Sequence, residues 1–251
     1  MYEKFFSHIN YFLSYKFSLS LNVKNIWKYL IIITIIFTFF TSLYGKVNYL
    51  GAINVHSRYM FRGKNIANNS PIIKPEFSII SNRSNIWCNT MFTRSLSKTN
   101  FQEFKIMFGY TKNINDLHEF ELRTIYSTYP SMDYNSTYDI YLRYSYEMKI
   151  PISIDASYNL ENNGLYSSAK SSFFFDLYLP WIIETSLGYN INSYDQFEHS
   201  FSQGISDFNT TLLTYIEFKK INVEPSITIT YPFSNNNKTE IVFSLYCDYV
   251  F

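Results

Sequence analysis

From residue 47 onward, hydrophobic and polar residues alternate with a period of two, the pattern of strands with one apolar face. Segment 137–147 puts Tyr138, Ile140, Leu142, Tyr144 and Tyr146 on one side and Asp139, Tyr141, Arg143, Ser145 and Glu147 on the other. Segment 103–111 sets Phe104, Ile106, Phe108 and Tyr110 against Glu103, Lys105 and Gly109. The alternation predicts twelve strands, at 47–62, 72–80, 85–93, 103–111, 118–128, 137–147, 150–160, 165–178, 182–191, 208–218, 221–231 and 240–251. Most exceed the five or six residues usual in soluble sheets and suit a tilted bilayer crossing.

The charges test what the apolar faces meet. A lipid-facing stripe must be free of charge in every strand. The basic residues within the spans are Arg58, Arg62, Lys74, Lys105, Arg123, Arg143 and Lys170. The acidic ones are Glu76, Glu103, Glu119, Glu121, Asp139, Glu147, Asp155, Asp176, Glu184, Glu217, Glu224, Glu240 and Asp248. All fall opposite the apolar stripe, although Arg94 would break the rule one residue beyond its span and His118 sits on the apolar face at a strand end. A soluble sandwich also alternates, with its apolar face inside. Strand length and the two chain ends favour the other solution, an all-β, transmembrane, antiparallel up-and-down barrel of about twelve strands. An even count returns both termini to one side. Short turns are expected there, around 82–83, 113–115, 149, 180 and 219–220, with longer loops opposite, at 63–71, 94–102, 129–136, 161–164, 192–207 and 232–239.

The N-terminal segment is different. Lys24 and Lys28 precede the apolar run Tyr29–Phe40, with Gly45 shortly after. A basic flank, about a dozen apolar residues and a small residue fit an export signal peptide better than a spanning helix of about 20 residues. Residues 1–45 are therefore set aside as extension plus signal, and 46–251 are read as the barrel.

Composition excludes several classes. Phe and Tyr number 24 each and Trp 3, against 16% charged residues and a net charge of +1. That is too aromatic and too weakly charged for a disordered chain, and it lacks the basic excess of a nucleic-acid binder. A/T-rich codons alone would raise Phe, Tyr, Ile, Asn and Lys, so placement of the aromatics carries more weight than their number. Tyr49, Phe61, Tyr126, Tyr138, Phe208, Phe218, Tyr231 and Phe251 fall near strand ends on the apolar face, where aromatic girdles meet lipid headgroups.

The last strand, with Phe243, Leu245, Tyr249 and terminal Phe251, resembles the C-terminal signal read by the outer-membrane barrel assembly machinery. Ser57-Arg58-Tyr59-Met60-Phe61-Arg62-Gly63 with Pro71 and Pro75, Tyr126-Ser127-Thr128-Tyr129-Pro130, Tyr138-Asp139-Ile140-Tyr141, Leu179-Pro180-Trp181 and Gly188-Tyr189 together resemble the TorF-type porins in their order along the chain. The resemblance covers roughly 47–251. It implies an integral outer-membrane barrel in contact with outer-membrane lipid, letting small solutes or ions diffuse passively.

The side chains opposite the stripe then line a lumen. The expected lining is His56, Arg58, Arg62, Lys74, Glu76, Glu103, Lys105, Glu119, Glu121, Arg123, Asp139, Arg143, Glu147, Asp155, Lys170, Asp176, Glu184, Glu217, Glu224 and Asp248. His56, Arg58 and Arg62 form a basic cluster near the outer end of the first strand. Acid outnumbers base overall, which favours cations. Twelve strands tilted about 40° give a backbone radius of roughly 12 Å, and Trp87, Tyr141, Tyr166, Phe174, Tyr178, Tyr215 and Tyr246 point inward to narrow it. Cys88 and Cys247 fall on the lipid face about 15 Å apart around the wall, too far for a disulfide. No Cys/His spacing suggests a metal, and no cofactor is expected. Two other classes compete. A membrane-embedded enzyme would have only His118, or His199 with Asp195 and Glu198, as candidate bases and lacks a patterned nucleophile. A surface interaction protein would use the 192–207 loop.

Overall fold

The computed structural model describes residues 47–250 apart from 82–83, 98–100, 131–134, 198 and 234–237. The predicted export segment, Glu198 and Phe251 lie outside the described residues. Every regular element among those residues is a strand.

Twelve strands form one antiparallel wall: β1 (Val47–His56), β2 (Ile72–Ser81), β3 (Ile86–Ser95), β4 (Gln102–Asn115), β5 (His118–Thr128), β6 (Thr137–Tyr146), β7 (Ile152–Asn159), β8 (Leu165–Asp176), β9 (Pro180–Asn190), β10 (Gly204–Thr214, continued by Ile216–Phe218), β11 (Ile221–Pro232) and β12 (Glu240–Val250). Each pairs with its sequence neighbour, and β1 also pairs with β12, Leu50 opposite Val250 through His56 opposite Ser244. The sheet therefore closes on itself and leaves no free edge strand. The fold is an up-and-down barrel, as the alternation, strand length and chain ends together predict.

The two faces differ sharply in exposure. Ile154 is 56% and Phe243 59% exposed on the outside, whereas Glu103 is 1% and Asp155 3% exposed within. This inverts a soluble core: large apolar groups sit outside and the buried inward residues are mostly polar. Arg94 and Lys112 lie inside β3 and β4 on the outward face, both exposed near strand ends. The charge-free stripe therefore spans the middle of the wall and not its rims. Tyr126 and Tyr138 pack outward with centroids 4.7 Å apart, and Tyr49 stacks on Phe77 at 6.3 Å.

Four elements differ from the sequence expectation. The fourth wall strand runs on to Asn115, so its short turn falls at 116–117 and not at 113–115. The first wall strand stops at His56, not at 62. The tenth begins at Gly204, four residues before 208, with a bulge where Gly188 faces Asp207 and Tyr189 faces Ile205. The eighth ends at Asp176, so Tyr178 stands fully exposed in a turn and does not enter the lumen.

Candidate functional site: the lumen and its inner hairpin

Ser57 closes the end of β1. Its amide donates to Phe243 O (2.8 Å), and its hydroxyl accepts from Phe243 N (2.9 Å). The chain then leaves the wall. Met60–Phe61 pairs with Lys64–Asn65 across the two-residue turn Arg62-Gly63, whose φ values are 47° and 77°. Positive φ at both central positions is the geometry of a tight hairpin turn that asks for Gly or Asn. Arg62 accepts a backbone that non-Gly residues rarely adopt, and its side-chain contacts show what holds it there. The guanidinium donates to Tyr194 Oη and to Ser157 Oγ (2.8 Å). It also lies over the Tyr166, Phe61 and Tyr194 rings, 4.6, 4.9 and 5.2 Å from their centroids, a geometry in which each ring face attracts the cation.

Ser157 is on β7, the strand opposite β1 in a ring of twelve, so the hairpin crosses the lumen. At its tip, Gly63 faces Asp207 on β10 so closely that a Cβ there would stand 2.9 Å from the Asp207 Cβ. At its base, Tyr59 donates to Glu103 Oε2 (2.9 Å), Lys105 reaches Tyr59 Oη (3.4 Å) and Glu103 (3.1 Å), and Lys74 lies over the Tyr59 ring (4.6 Å). Burial and the Glu103 carboxylate push the Tyr59 hydroxyl well above the ordinary tyrosine range, which keeps it a neutral donor.

A small apolar core forms at the long-loop mouth from Tyr59, Ile66, Ala67, Ile72, Phe101, Tyr129 and Phe197, with Phe61 packed against it. Phe197 and Phe201 come from the 192–207 segment. That segment forms a separate hairpin, Tyr194–Gln196 paired with His199–Phe201, and meets Phe61 edge-on at 5.3 and 6.0 Å. Phe61 is therefore a packing residue inside the mouth, and not the outward girdle residue that alternation suggests.

Behind the hairpin, charges pair along and across neighbouring strands. Arg143 Nε is 2.7 Å from Asp155 Oδ1, Lys170 3.6 Å from Asp155 Oδ2, and Arg123 and Arg143 lie 2.8 and 3.7 Å from Glu121. Ser168 donates to Asp155 at 3.1 Å. Asp155→Ala leaves two cations and a hydroxyl without their shared acceptor. Because the lumen is partly open, the expected loss of stability is about 1–3 kcal/mol, below that for a dry ion pair. Urea unfolding in detergent micelles measures it, and a change under about 0.5 kcal/mol would make these pairs no better than surface ones.

Several cavities lie along the lumen among the described residues. One of about 460 Å³ is lined by Arg62, Glu103, Lys105, Asp139, Asp155, Lys170, Glu184 and Asp207 among others. A second, about 410 Å³, lies beside the hairpin and includes His56, Arg58, Lys74, Glu184 and Glu224. A third, about 380 Å³, holds Glu76, Trp87, Glu121 and Arg123. Trp87 lies across Gly109, where a Cβ would come within 2.2 Å of the indole.

Among the other residues expected in the lining, Arg143 joins the ion-pair network. Glu119, Glu147, Asp176, Glu217 and Asp248 line none of these cavities and sit towards the short-turn end, Asp248 held by the Asn222 amide at 2.9 Å. Arg58 and Arg62 belong to the inward segment and not to the wall, and Arg58 pairs with Glu240. Sequence reasoning missed Asp207, which lies one residue before the expected start of its strand, and Tyr194. The Arg62-Gly63 pair was the one signal for the hairpin, because a turn dipeptide inside a presumed strand argues for its end.

His118 Nδ1 lies 2.6 Å from Tyr144 Oη and its ring stacks on Tyr146 at 4.7 Å. Cys88 and Cys247 are unpaired, on β3 and β12 with β1 and β2 between them.

No family model and no curated protein matches this sequence. Solved structures do. The KdgM porin superposes with a TM-score of 0.56 at 10% identity, over 80% of this chain and 99% of that one. The NanC porin gives 0.56 at 10%, over 79% and 98%. The fold is that of a twelve-stranded porin-like barrel. LpxR from Salmonella typhimurium also shares it, with a TM-score of 0.53 at 7% identity over 80% of this chain and 100% of that one. At such identities the likeness concerns the fold alone. The resemblance to TorF-type porins narrows on these comparisons to a small porin-like barrel.

Proposed function

We propose that the protein is an integral outer-membrane barrel through which small polar solutes diffuse passively along a narrow, charged lumen. The observation that carries this reading is the two-faced wall: apolar side chains exposed outward, and charged side chains gathered around adjacent cavities. A closed antiparallel sheet satisfies every strand's hydrogen bonds in lipid, and apolar residues meet the acyl chains. The KdgM and NanC porins share the fold, and one KdgM structure is a complex with disordered oligogalacturonate. On this reading the long-loop mouth faces outward, the export segment within 1–45 delivers the chain, and Phe243, Leu245, Tyr249 and Phe251 present it to the assembly machinery.

A second reading, a non-conducting barrel that displays its loops, is favoured by one observation: the 57–71 and 192–207 segments share an apolar core across one mouth. Planar-bilayer recording of the refolded full chain separates the two. Discrete ohmic steps are expected. A barrel that shows heat-modifiable gel mobility but stays electrically silent would select the second reading.

A further inference from the structure

The lumen cations are segregated by strand: all lie on β1–β8 or the segment between β1 and β2, although Glu119, Asp139 and Asp176 on those strands have none within ion-pair distance among the described residues. On β4–β8, Glu103, Glu121 and Asp155 lie within ion-pair distance of Lys105, Arg123, Arg143 or Lys170. Strands β9–β12 carry no Lys, Arg or His at all, yet turn Glu184, Asp207, Glu217, Glu224 and Asp248 inward. Glu240, at the end of β12, is balanced by Arg58. Among the described residues, none of those five carboxylates has a cation within ion-pair distance. Asp207 is held by the Ser206 hydroxyl and the Asn209 amide, and Asp248 by the Asn222 amide. Neutral donors fix these carboxylates without cancelling their charge.

The register places them at successive heights. Asp207 is level with Pro232 on β11, and Glu184 with Thr228 by way of Thr211. Glu224 follows on β11 itself, and Glu217 and Asp248 both face Asn222. At about 3.3 Å per residue, the steps from Pro232 to Thr228, Glu224 and Asn222 are roughly 13, 13 and 7 Å. The carboxylates therefore form a ladder along the wall from one mouth towards the other. Glu184 is the rung shared by the two larger cavities, and Glu224 faces the second of them. Steps of this size are comparable to the Debye length at physiological ionic strength, and low-dielectric walls concentrate the field. A cation moving along β9–β12 stays within reach of the next carboxylate, while an anion meets repulsion at each.

We propose that β9–β12 form a one-sided cation path, with Glu184, Glu224 and Asp248 as its selectivity-determining residues and small cations, inorganic or aminated, as the favoured solutes. The inference rests on the channel reading and goes beyond a simple acid excess. It assigns selectivity to one third of the wall and none of it to the paired acids of β4–β8.

The test is the reversal potential of the refolded full chain in a planar bilayer across a tenfold KCl gradient. Wild type is expected to prefer potassium. The E184Q/E224Q/D248N variant is expected to lose that preference by roughly threefold or more in permeability ratio, while D116N, in the short turn between β4 and β5, keeps it. If the triple variant fails to show heat-modifiable mobility, E184Q and E224Q are recorded singly, each with a partial loss expected. An anion preference in wild type, or neutralised variants indistinguishable from it, would overturn the cation path while leaving a channel in place. Silence of both wild type and a variant lacking the inner hairpin would overturn the channel reading and this inference with it.

Discussion

Replacing residues 58–69 with a short Gly/Ser linker is expected to raise single-channel conductance about three- to tenfold, because that segment crosses a lumen roughly 12 Å in backbone radius. Arg62 spans the bore to Ser157, and Gly63 abuts Asp207. Their removal joins the two cavities of about 460 and 410 Å³, which share Met60 as lining. The wall itself keeps its closure. The β1–β12 pairing and the Ser57–Phe243 hydrogen bonds lie before the deleted stretch, and adjacent strand ends about 4.8 Å apart need only a few linker residues. Arg62→Ala is the milder form of the experiment. It removes two hydrogen bonds and the ring contacts that hold a positive-φ arginine in place. The expected result is noisier, flickering conductance, since the hairpin is still present but unlatched. Conductance equal to wild type in the deletion variant would place the hairpin outside the conducting path.

The second large effect is on stability. Leu142→Arg is expected to destabilise the barrel by about 2–4 kcal/mol in lipid vesicles, the cost of an arginine near the bilayer midplane on the outward face of a strand. Leu142 lies mid-strand on β6 between Leu122 and Ala156, exposed to the outside. Its neighbour Arg143 points the other way and meets Asp155 at 2.7 Å. One residue apart on one strand, a guanidinium is thus at home on one face and costly on the other. Equilibrium unfolding in urea measures the difference. If the outward face met water, the substitution would stay within about 0.5 kcal/mol, as surface changes do.

The same pair of residues shows what was legible in the chain. Alternation is a local property, fixed by the pleat that sends successive side chains to opposite faces. It therefore specifies which residues share a face wherever the strand stays in the wall. Segments 118–128 and 137–147 match β5 and β6 to within a residue, and their inward and outward sides are as the pattern demands. Alternation cannot tell whether a strand continues in the wall or bends away. Residues 57–62 keep the pattern yet leave the sheet, because Arg62 and Gly63 adopt positive φ and the guanidinium is received by Ser157 and Tyr166 of the far wall and Tyr194 of the 192–207 hairpin. None of those partners is within 90 residues in sequence. Asp207 was hidden because β10 begins earlier than its apolar pattern shows: Asp207 keeps the inward phase of Asn209 and Thr211, and the bulge just before it, opposite Gly188 and Tyr189, turns Ile205 outward and masks the alternation.

What the sequence determined by itself is thus the number of strands, the period and the side of the charges in strands whose bounds it placed, because all three follow from nearest-neighbour backbone geometry and from the high cost of charge in lipid. What only the tertiary structure decided is how those charges meet. Closure brings β12 to β1, sends Arg62 across to β7, gives Glu103, Glu121 and Asp155 cations within ion-pair distance and leaves Glu184, Asp207, Glu217, Glu224 and Asp248 without one among the described residues. Partnership between charges depends on distances between strands far apart in the chain, and closure of the sheet is what sets those distances.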